Sequence, residues 1–477
     1  MVGWIILGAV LLFLAVLVVR ALMFKPRPAR PVDETPVSFD TDGAVSALQK
    51  LVQCKTISYN DSALEDDAEF QKLIDLLPGL YPKVFEICSL LKLPDRALLF
   101  HWKGKRHDAP AVLMAHYDVV PVQEDMWEKP PFAGIIEDGV LWGRGTLDTK
   151  VTFNGALYAA NTLMEQGFVP ENDIYFAFSG GEEVNGKGAK NIVDWFVENH
   201  IAPAIVVDEG GAVVENVFPG VKVPSGMVGI AEKGMMNVRY TVHSSGGHAS
   251  APLPKTPITT LASACRNVVE HPFKMHLNKP AALMFDTLAR HSTFVYKLIF
   301  SNLWCFKPLL DLICKSSGGE MNALVRTTTA FTQAAGSTAR NVIPAQASLV
   351  SNMRLSPLDT VADATAYLKK VVDDPTVEIE VLESFEPSPV SETDCDAYYR
   401  VADAVAETWR GCVVTPYLMV QCSDSRHYRD LSRHVYRFSA MDLTAEERRT
   451  IHGNNERIRL ETVGKAVEFY IRLMKKC

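Results

Sequence analysis

The sequence predicts an α/β protein with a second, smaller α+β domain inserted into the first and one apolar helix at the N-terminus. From about residue 45 to 225, short apolar runs alternate with segments of helical periodicity, which is typical of strands joined by helices. Between about 227 and 385 polar and apolar residues alternate within the predicted strands, and after about 390 the first pattern returns. Residues 1–19 carry no charged side chain.

The composition narrows the class of protein. Of the 477 residues, 48% are hydrophobic and 22% are charged, which is typical of a globular chain of two or three domains. The 48 Lys and Arg against 56 Asp and Glu give a net charge of −8. Residues 1–30 hold four of the basic residues and no acid, so the remainder carries −12. Such an acidic body argues against a nucleic-acid-binding protein.

The apolar N-terminal segment is long enough to cross a bilayer, because residues 1–24 are interrupted only by Arg20. No basic residue precedes the segment and no Ala-x-Ala site follows it, which favours a single-pass anchor over a cleaved signal peptide. The charges of Lys25, Arg27 and Arg30 favour a cytoplasmic body. Nine cysteines without C-x-x-C spacing indicate thiols more than a disulfide framework. The side of the membrane stays open.

The remaining chain divides into a linker and two domains. The predicted linker is 25–44, the main domain comprises 45–226 and 386–477, and 227–385 is an inserted lid or dimerisation domain. The predicted strands are 111–115, 173–178, 204–207, 238–243, 345–355 and 377–382. The predicted helices are 151–167, 188–199, 361–372 and 460–476, with a further helical insertion over 270–325.

Acidic and imidazole side chains follow several of these apolar runs. Because ligands bind at the carboxyl ends of the strands in open α/β sheets, we expect these side chains at one edge. The segments are His116-Tyr-Asp118, Gly-Arg-Gly-Thr-Leu-Asp148, Ser-Gly-Gly-Glu182-Glu183, Asp208-Glu-Gly-Gly and the late His452-Gly-Asn-Asn-Glu. Each segment by itself is more typical of a structural residue or a solvated turn.

Carboxylates gathered at one edge repel one another, and a pair of divalent cations would neutralise them. Asp148, Glu183 and Asp208 offer three negative charges, and His116 and His452 offer two neutral donors. Two Zn²⁺ ions and one hydroxide bring such a centre to zero charge, and a bridging Asp148 would give each ion three protein ligands. Mn²⁺ or Co²⁺ fits the same donors, so the metal stays open.

In this order the motifs HYD, GRGTLD, GGEE, DEGG and HGNNE resemble those of the dinuclear zinc exopeptidases and amidohydrolases, over roughly residues 45–475. That family includes aminoacylase, carboxypeptidase S, N-fatty-acyl-amino-acid synthase/hydrolase, carboxypeptidase G and succinyl-diaminopimelate desuccinylase. The DEGG motif, the 270–325 insertion and the anchor point to the carboxypeptidase S and fatty-acyl-amino-acid hydrolase branch. The resemblance implies a zinc-exopeptidase-like catalytic domain with an inserted lid domain.

The resemblance also implies a set of metal ligands. His116 and Asp208 would hold one ion, and Glu183 and His452 would hold the other. Asp148 would bridge both ions and would be followed by a cis peptide bond. Relatives of this family are often secreted or lumenal, which opposes the orientation that the flanking charges favour.

The implied catalytic and substrate residues lie in both domains. Glu182 would be the general base toward water, and Asp118 would orient the first histidine ligand. In the lid, His248 would donate to the oxyanion, often across a dimer interface, with Asn341 also on the substrate side. Arg354 would bind the amino-acid carboxylate through a forked contact. The resemblance implies three further substrate-side residues: Ser423, Asp424 and Arg426. They belong to one motif, and this sequence departs from the family at the residue directly before that motif.

The sequence thus predicts a metal-dependent hydrolase that cleaves the amide bond of a peptide or an N-acyl-amino acid and releases an amino acid. These motifs do not separate a carboxypeptidase from an N-fatty-acyl-amino-acid hydrolase/synthase, although a membrane anchor favours lipidic substrates. The alternative outside the enzymes is a degenerate peptidase fold kept as an interaction module, which predicts lost ligands. The expected partners are the small substrate, the membrane and a second copy bound through the lid domain.

Overall fold

The structure is a computed structural model that describes residues 1–218 and 220–477. The helices are α1 (Val2–Met23), α2 (Thr41–Val52), α3 (Asp67–Leu80), α4 (Pro82–Ile87), α5 (Lys150–Glu165), α6 (Gly188–Glu198), α7 (Pro257–Glu270), α8 (Lys279–Arg290), α9 (Phe294–Phe300), α10 (Leu303–Ser317), α11 (Gly319–Val325), α12 (Val361–Val372), α13 (Asp396–Thr408), α14 (Ala445–Arg448) and α15 (Leu460–Met474). The strands are β1 (Ser89–Leu93), β2 (Ala97–Trp102), β3 (Arg106–His116), β4 (Ile135–Glu137), β5 (Val140–Trp142), β6 (Asn172–Ser179), β7 (Ile205–Val214), β8 (Ser225–Glu232), β9 (Gly234–His243), β10 (Gly247–His248), β11 (Thr328–Ala335), β12 (Val342–Ile343), β13 (Gln346–Leu355), β14 (Glu378–Phe385), β15 (Val413–Met419), β16 (Val435–Leu443) and β17 (Arg457–Arg459).

Eight strands form the larger sheet, in the order β1-β2-β6-β3-β7-β16-β8-β15. The central strands β6, β3, β7 and β16 are parallel neighbours, so their carboxyl ends lie at one edge. Both faces of this sheet are buried: β3 directs Leu113 into one apolar cluster and Val112 into another. Strands covered on both sides read as continuous apolar runs, which is why the sequence reveals them.

Four antiparallel strands form a second sheet, in the order β11-β13-β9-β14. Its helices α7 and α12 pack on one face and on each other. A separate apolar cluster includes Val238, Leu261 and Leu368. The other face is more polar, which explains the alternation of polar and apolar residues in β9 and β13.

The predicted α/β fold with a second α+β unit is confirmed, and helix α12 has the predicted bounds. The predicted boundary between the two domains and the predicted end of the linker do not coincide with the ends of these helices and strands. The limit at 226–227 lies inside β8, which still belongs to the larger sheet, and the chain changes sheet between Glu232 and Gly234. Since β8 and β9 are both apolar and separated by one residue, the sequence pattern gives no break there.

The linker is shorter than predicted, and its position is fixed by hydrogen bonds to the folded protein. Helix α2 begins at Thr41, where Asp40 accepts a hydrogen bond from the backbone nitrogen of Gly43. Upstream, Arg30 forms a forked contact with Asp403 at 2.9 and 3.1 Å. The segment is therefore held against the main domain by polar contacts, which a pattern of apolar residues cannot predict.

Candidate metal centre and active site

Two strand ends bring the first group of site residues together. His116 ends β3 and pairs in register with Ser179, which ends β6. Glu182 and Glu183 begin the short 3₁₀ turn that follows β6. The buried Asp118 fixes this turn, because its carboxylate accepts the backbone N–H of Glu182 at 3.1 Å and of Glu183 at 3.2 Å. His116 Nδ1 lies 3.1 Å from the backbone carbonyl oxygen of Asp118 and 3.4 Å from its Oδ1, so Asp118 orients three site residues.

Asp148 lies between the two histidines of the predicted ligand set. Its Oδ1 is 3.1 Å from His116 Nε2, and its Oδ2 is 3.0 Å from His452 Nε2. Glu183 Oε2 is 3.1 Å from the same His452 nitrogen. The other Glu183 oxygen is buried and has no hydrogen-bond partner among the described residues. The peptide bond after Asp148 is cis, as the resemblance implies.

The strand β7 presents Glu209 to this group, whereas the carboxylate of Asp208 is hydrogen-bonded to backbone nitrogens. Glu209 Oε1 is 3.3 Å from His116 Nε2, and ligand atoms of His116, Glu182 and Glu209 lie within 4.8 Å of one another. Asp208, the expected ligand, instead accepts the backbone N–H of Ser425 at 2.8 Å and of Glu209 at 2.9 Å. The pairing of β7 with β16 skips two residues after Asp208, and this bulge turns Glu209 toward the site.

Two glycines make the bulge in β7 sterically feasible. Gly210 has a φ of +145°, which side-chain-bearing residues rarely adopt. A Cβ on Gly211 would lie 1.7 Å from the carbonyl oxygen of Met227 in β8. The Gly-Gly pair in the DEGG motif is therefore required by the backbone path that delivers Glu209.

The carboxylates of this group are buried close together, and bound cations would offset their charge. Burial raises the pKa of Glu182, of Glu183 and of Glu209, because each anion loses hydration. Burial also opposes ionisation of Asp148, but contacts with His116 and the second imidazole outweigh it and lower that pKa. The mixed nitrogen and oxygen donors and the unpartnered Glu183 oxygen fit divalent metal ions.

A further buried carboxylate, which the sequence analysis left without a role, organises the loop before Asp148. Glu456 Oε1 accepts the backbone N–H of Leu147 at 2.7 Å and of Asp148 at 3.2 Å. Its Oε2 accepts the backbone N–H of Gly145 at 3.1 Å and Nη1 of the buried Arg144 at 2.5 Å. Glu456 closes the HGNNE motif, so the motif itself was the signal for this positioning residue.

The motif around Ser423 lies beside the centre, where it supports neighbouring groups. Ser423 is buried and its backbone N–H donates to Glu232 at 2.9 Å. Asp424 accepts a hydrogen bond from Ser179 Oγ at 2.5 Å. Arg426 donates to the Ser423 carbonyl at 2.8 Å. Burial lowers the pKa of Arg426, but the combined attraction of Asp424, Glu182, Glu232 and Cys422 raises it overall.

The remaining substrate-side residues are divided between the site and the second sheet. Arg354 in β13 donates to Cys422 Sγ at 2.8 Å, and Cys422 lines the cavity next to the centre. His248 and Asn341 lie instead on the exposed ribbon formed by β10 and the loop into β12. Within the part of the chain that the structure describes, the cavity lining includes neither of these two residues.

A cavity of about 490 Å³ opens from this carboxylate group. One end is formed by Asp148, Glu182, Glu183, Glu209 and His452. Beyond this end the lining follows β7 and mixes apolar side chains with the polar side chains of Glu320, Gln421, Ser439 and Arg448. The apolar members of the lining are Leu147, Ala212, Val214, Val217, Met227, Met419, Met441, Leu443 and Ile451.

A parallel sheet with this histidine and carboxylate cluster at its edge, open to a cavity, defines a metal-dependent hydrolase. The sequence match is to the family model described as peptidase family M20/M25/M40, over residues 112–476. The chain belongs to this family of metallopeptidases and related amide hydrolases.

Named relatives match along nearly the whole chain. A probable carboxypeptidase S-like 2 of Dictyostelium discoideum is 35% identical, over 92% of this chain and 86% of its own length. The human N-fatty-acyl-amino acid synthase/hydrolase PM20D1 is 32% identical, over 90% and 86%. Among solved structures, the M20 metallo-carboxypeptidase Sso-CP2 of Sulfolobus solfataricus has a TM-score of 0.66 at 17% identity, covering 91% of this chain and 98% of its own. The protein is therefore a metal-dependent amide hydrolase, and the alternative of an inactive interaction module is set aside.

Proposed function

We propose that this enzyme hydrolyses N-fatty-acyl-amino acids, and catalyses the reverse condensation, with two divalent cations that are Zn²⁺ in the native protein. The observation that carries the substrate class is the apolar lining of the cavity, which begins directly beside the carboxylate group. Three methionines in this lining, Met227, Met419 and Met441, offer unbranched side chains that adapt to a flexible alkyl chain. A dipeptide would leave much of this apolar wall without a partner.

The ligand set that we propose differs at one position from the one the family resemblance implies. His116 and Glu209 would hold one cation, Glu183 and His452 the other, and Asp148 would bridge them. The distances around Asp148 and the position of Glu209 next to His116 support this assignment. Asp208 would instead hold the loop that follows β15 through the backbone of Ser425.

The protein side of the reaction follows from these positions. When bound, the cations polarise the scissile carbonyl and lower the pKa of water. Glu182 lies in the cavity wall next to the ligand group, within the region where a general base reaches the attacking water. Glu182 would accept the proton of the attacking water and return it to the leaving amine. Arg354, beside Cys422 in the wall, would bind the amino-acid carboxylate.

A series of N-acyl-amino acids with one amino acid and graded acyl length tests the substrate class, with the matching dipeptides as controls. Each buried methylene contributes about 0.8 kcal/mol, so we expect kcat/KM to rise by up to about fourfold per carbon until the cavity is filled. Mass spectrometry would follow both products. Flat rates along the series, with dipeptides hydrolysed faster, would replace this substrate class by a carboxypeptidase activity.

We also propose that α1 is retained as a single-pass membrane anchor. It is a 22-residue helix long and apolar enough to cross a membrane. The buried Leu17 and Ala21 tie its second half to the folded protein, which supports retention over removal as a signal sequence. Extraction of the full chain from membranes by carbonate and by detergent separates these outcomes, because an anchored protein resists carbonate.

We further propose that His248 serves the active site of a second copy, since it lies on an exposed ribbon away from the cavity of its own chain. Mixing Glu182→Gln with His248→Ala protein tests this arrangement. Each variant alone would be nearly inactive, whereas a mixed dimer restores one complete site and thus measurable turnover. No recovery after subunit exchange would place His248 in its own chain's reaction or outside it.

A further inference from the structure

Helix α1 is fixed to the helical insertion, whose helices α8 to α11 pack on the larger sheet and its apolar core. The neighbours of α1 are α9 and, through Phe13 and Trp304, the start of α10. The Arg20 guanidinium donates to the carbonyl oxygen of Ser301 at 2.8 and 3.2 Å, and Asn302 Nδ2 donates to the carbonyl oxygen of Leu17 at 3.1 Å. Asn302 is fully buried. The position of α1 therefore sets the position of α9 and α10.

Next to α1, the insertion presents an exposed apolar surface, which we call the insertion face. Its members are between 42 and 64% exposed: Phe294, Val295, Trp304, Leu309, Leu312 and Ile313. Residues 291–317, which contain the face, carry three lysines and one acid, in a chain whose body is otherwise acidic. The single acid, Asp311, is already paired with Arg326 and Lys315. An apolar helical surface bordered by lysines is typical of segments that lie in a membrane interface.

The contact with α1 fixes how deep this face would lie. Trp304 packs edge to face on Phe13, with the ring centroids 5.9 Å apart. Phe13 precedes Arg20, the first charge of α1, by seven residues, which is about 10 Å along the helix axis at 1.5 Å per residue. If Arg20 lies at the membrane surface, Trp304 must lie well below it, at the level of the lipid acyl chains.

We infer that the insertion face is embedded in the same lipid leaflet as the second half of α1, so that lipid acyl chains cover it. This inference rests on the proposed anchor and extends it from one helix to the helices α9 and α10. A second protein copy is a poorer occupant, because α1 in a bilayer already surrounds Trp304 with lipid on its outer side.

The embedded face would place the cavity at the membrane surface. Helix α11 follows α10 after Gly318, and its second residue, Glu320, lines the cavity. Glu320 accepts a hydrogen bond from Tyr417 Oη at 3.0 Å in the same wall. A substrate with a long acyl chain would therefore pass from the bilayer to the cavity over a short distance, beside α10 and α11.

Quenching of tryptophan emission by lipids brominated half-way along the acyl chain tests the embedding, with the full-length protein reconstituted in vesicles. The seven tryptophans are resolved by difference between the wild type and single Trp→Phe variants. We expect Trp304→Phe and Trp4→Phe each to remove a comparable part of the quenched emission. Trp195→Phe, on a helix of the main domain, is the matched control and should remove none.

The possible results separate this inference from the proposals on which it rests. If Trp4 is quenched and Trp304 is not, the anchor stands and the insertion face lies outside the lipid. If neither tryptophan is quenched, both the membrane anchor and the embedding of the insertion face are refuted. Hydrolysis of a short-chain acyl substrate in detergent reports the proposed activity independently of either result.

A charge variant provides the second test. Leu309→Glu with Leu312→Glu would place two carboxylates in the acyl region, and Val269→Glu is the control at an exposed apolar position of α7. We expect the double variant to lose the Trp304 quenching and at least half of its long-chain activity in vesicles, with unchanged activity in detergent. Equal quenching of Trp304 in the double variant and in the control would overturn the inference.

Discussion

The Glu456→Gln variant tests whether the loop that carries Asp148 is held by a buried charge. Glu456 is fully buried, and Arg144, its partner at 2.5 Å, is 2% exposed. A glutamine at this position keeps one oxygen for the backbone N–H groups of Leu147 and Asp148. Its amide nitrogen would then face two other donors, Arg144 Nη1 and the backbone nitrogen of Gly145.

The magnitude follows from leaving the Arg144 charge buried without its counter-charge. Removal of one partner of a buried ion pair costs about 3–5 kcal/mol. The exposed pair of Glu446 with Arg457, 2.6 Å apart, is the matched control, and loss of an exposed pair costs roughly 0–1 kcal/mol. We therefore expect Glu456→Gln to lower the free energy of unfolding by several times more than Glu446→Gln.

Urea denaturation gives the loss of stability, and metal analysis with single-turnover kinetics gives the effect on the site. Because Glu456 acts through the position of Asp148, we expect weaker metal binding together with lower kcat. Combining Glu456→Gln with Arg144→Met removes the orphaned charge and should recover part of the stability. A Glu456→Gln protein that is as stable as Glu446→Gln and binds metal normally would refute the reasoning.

Four shorter predictions follow, three on the site and one on a buried histidine outside it. Glu209→Gln should lower the metal content measured by mass spectrometry, whereas Asp208→Asn should retain both ions; the reverse result would restore Asp208 as the ligand. Glu182→Gln should keep its metal and lose turnover by about 10²–10⁴-fold, so an active, metal-loaded variant would exclude this base. Met441→Trp should shift the preferred acyl length downward, and an unchanged length profile would remove the acyl group from this cavity. Burial lowers the pKa of His427 to about 4, so the unfolded chain binds more protons below pH 6.5, and stability should fall as the pH decreases toward 4; His427→Phe should flatten this slope by up to about 1.4 kcal/mol per pH unit.

Much of the main sheet could be predicted because its central strands are buried on both faces. The apolar runs in β3, β6 and β7 mark these strands, and the polar side chain after each run marks the edge. This pattern predicted His116, Glu182 and Glu183 at the edge, and the structure places them there, close together. The positions of His248 and Asn341 relative to the cavity could not be found, because they depend on how the second sheet is placed against the first.

The sequence by itself determined the family, the parallel sheet and the supply of nitrogen and oxygen donors at its edge, because these depend on local patterns and on the order of motifs. The family resemblance assigned Asp208 as a metal ligand, whereas the structure places Glu209 beside His116. Adjacent residues of a strand point to opposite faces, and only the bulge against β16 decides which one enters the site. The tertiary structure likewise decided that α1 and the helical insertion form one apolar surface, because that contact joins segments almost 300 residues apart through buried polar groups that no periodicity reveals.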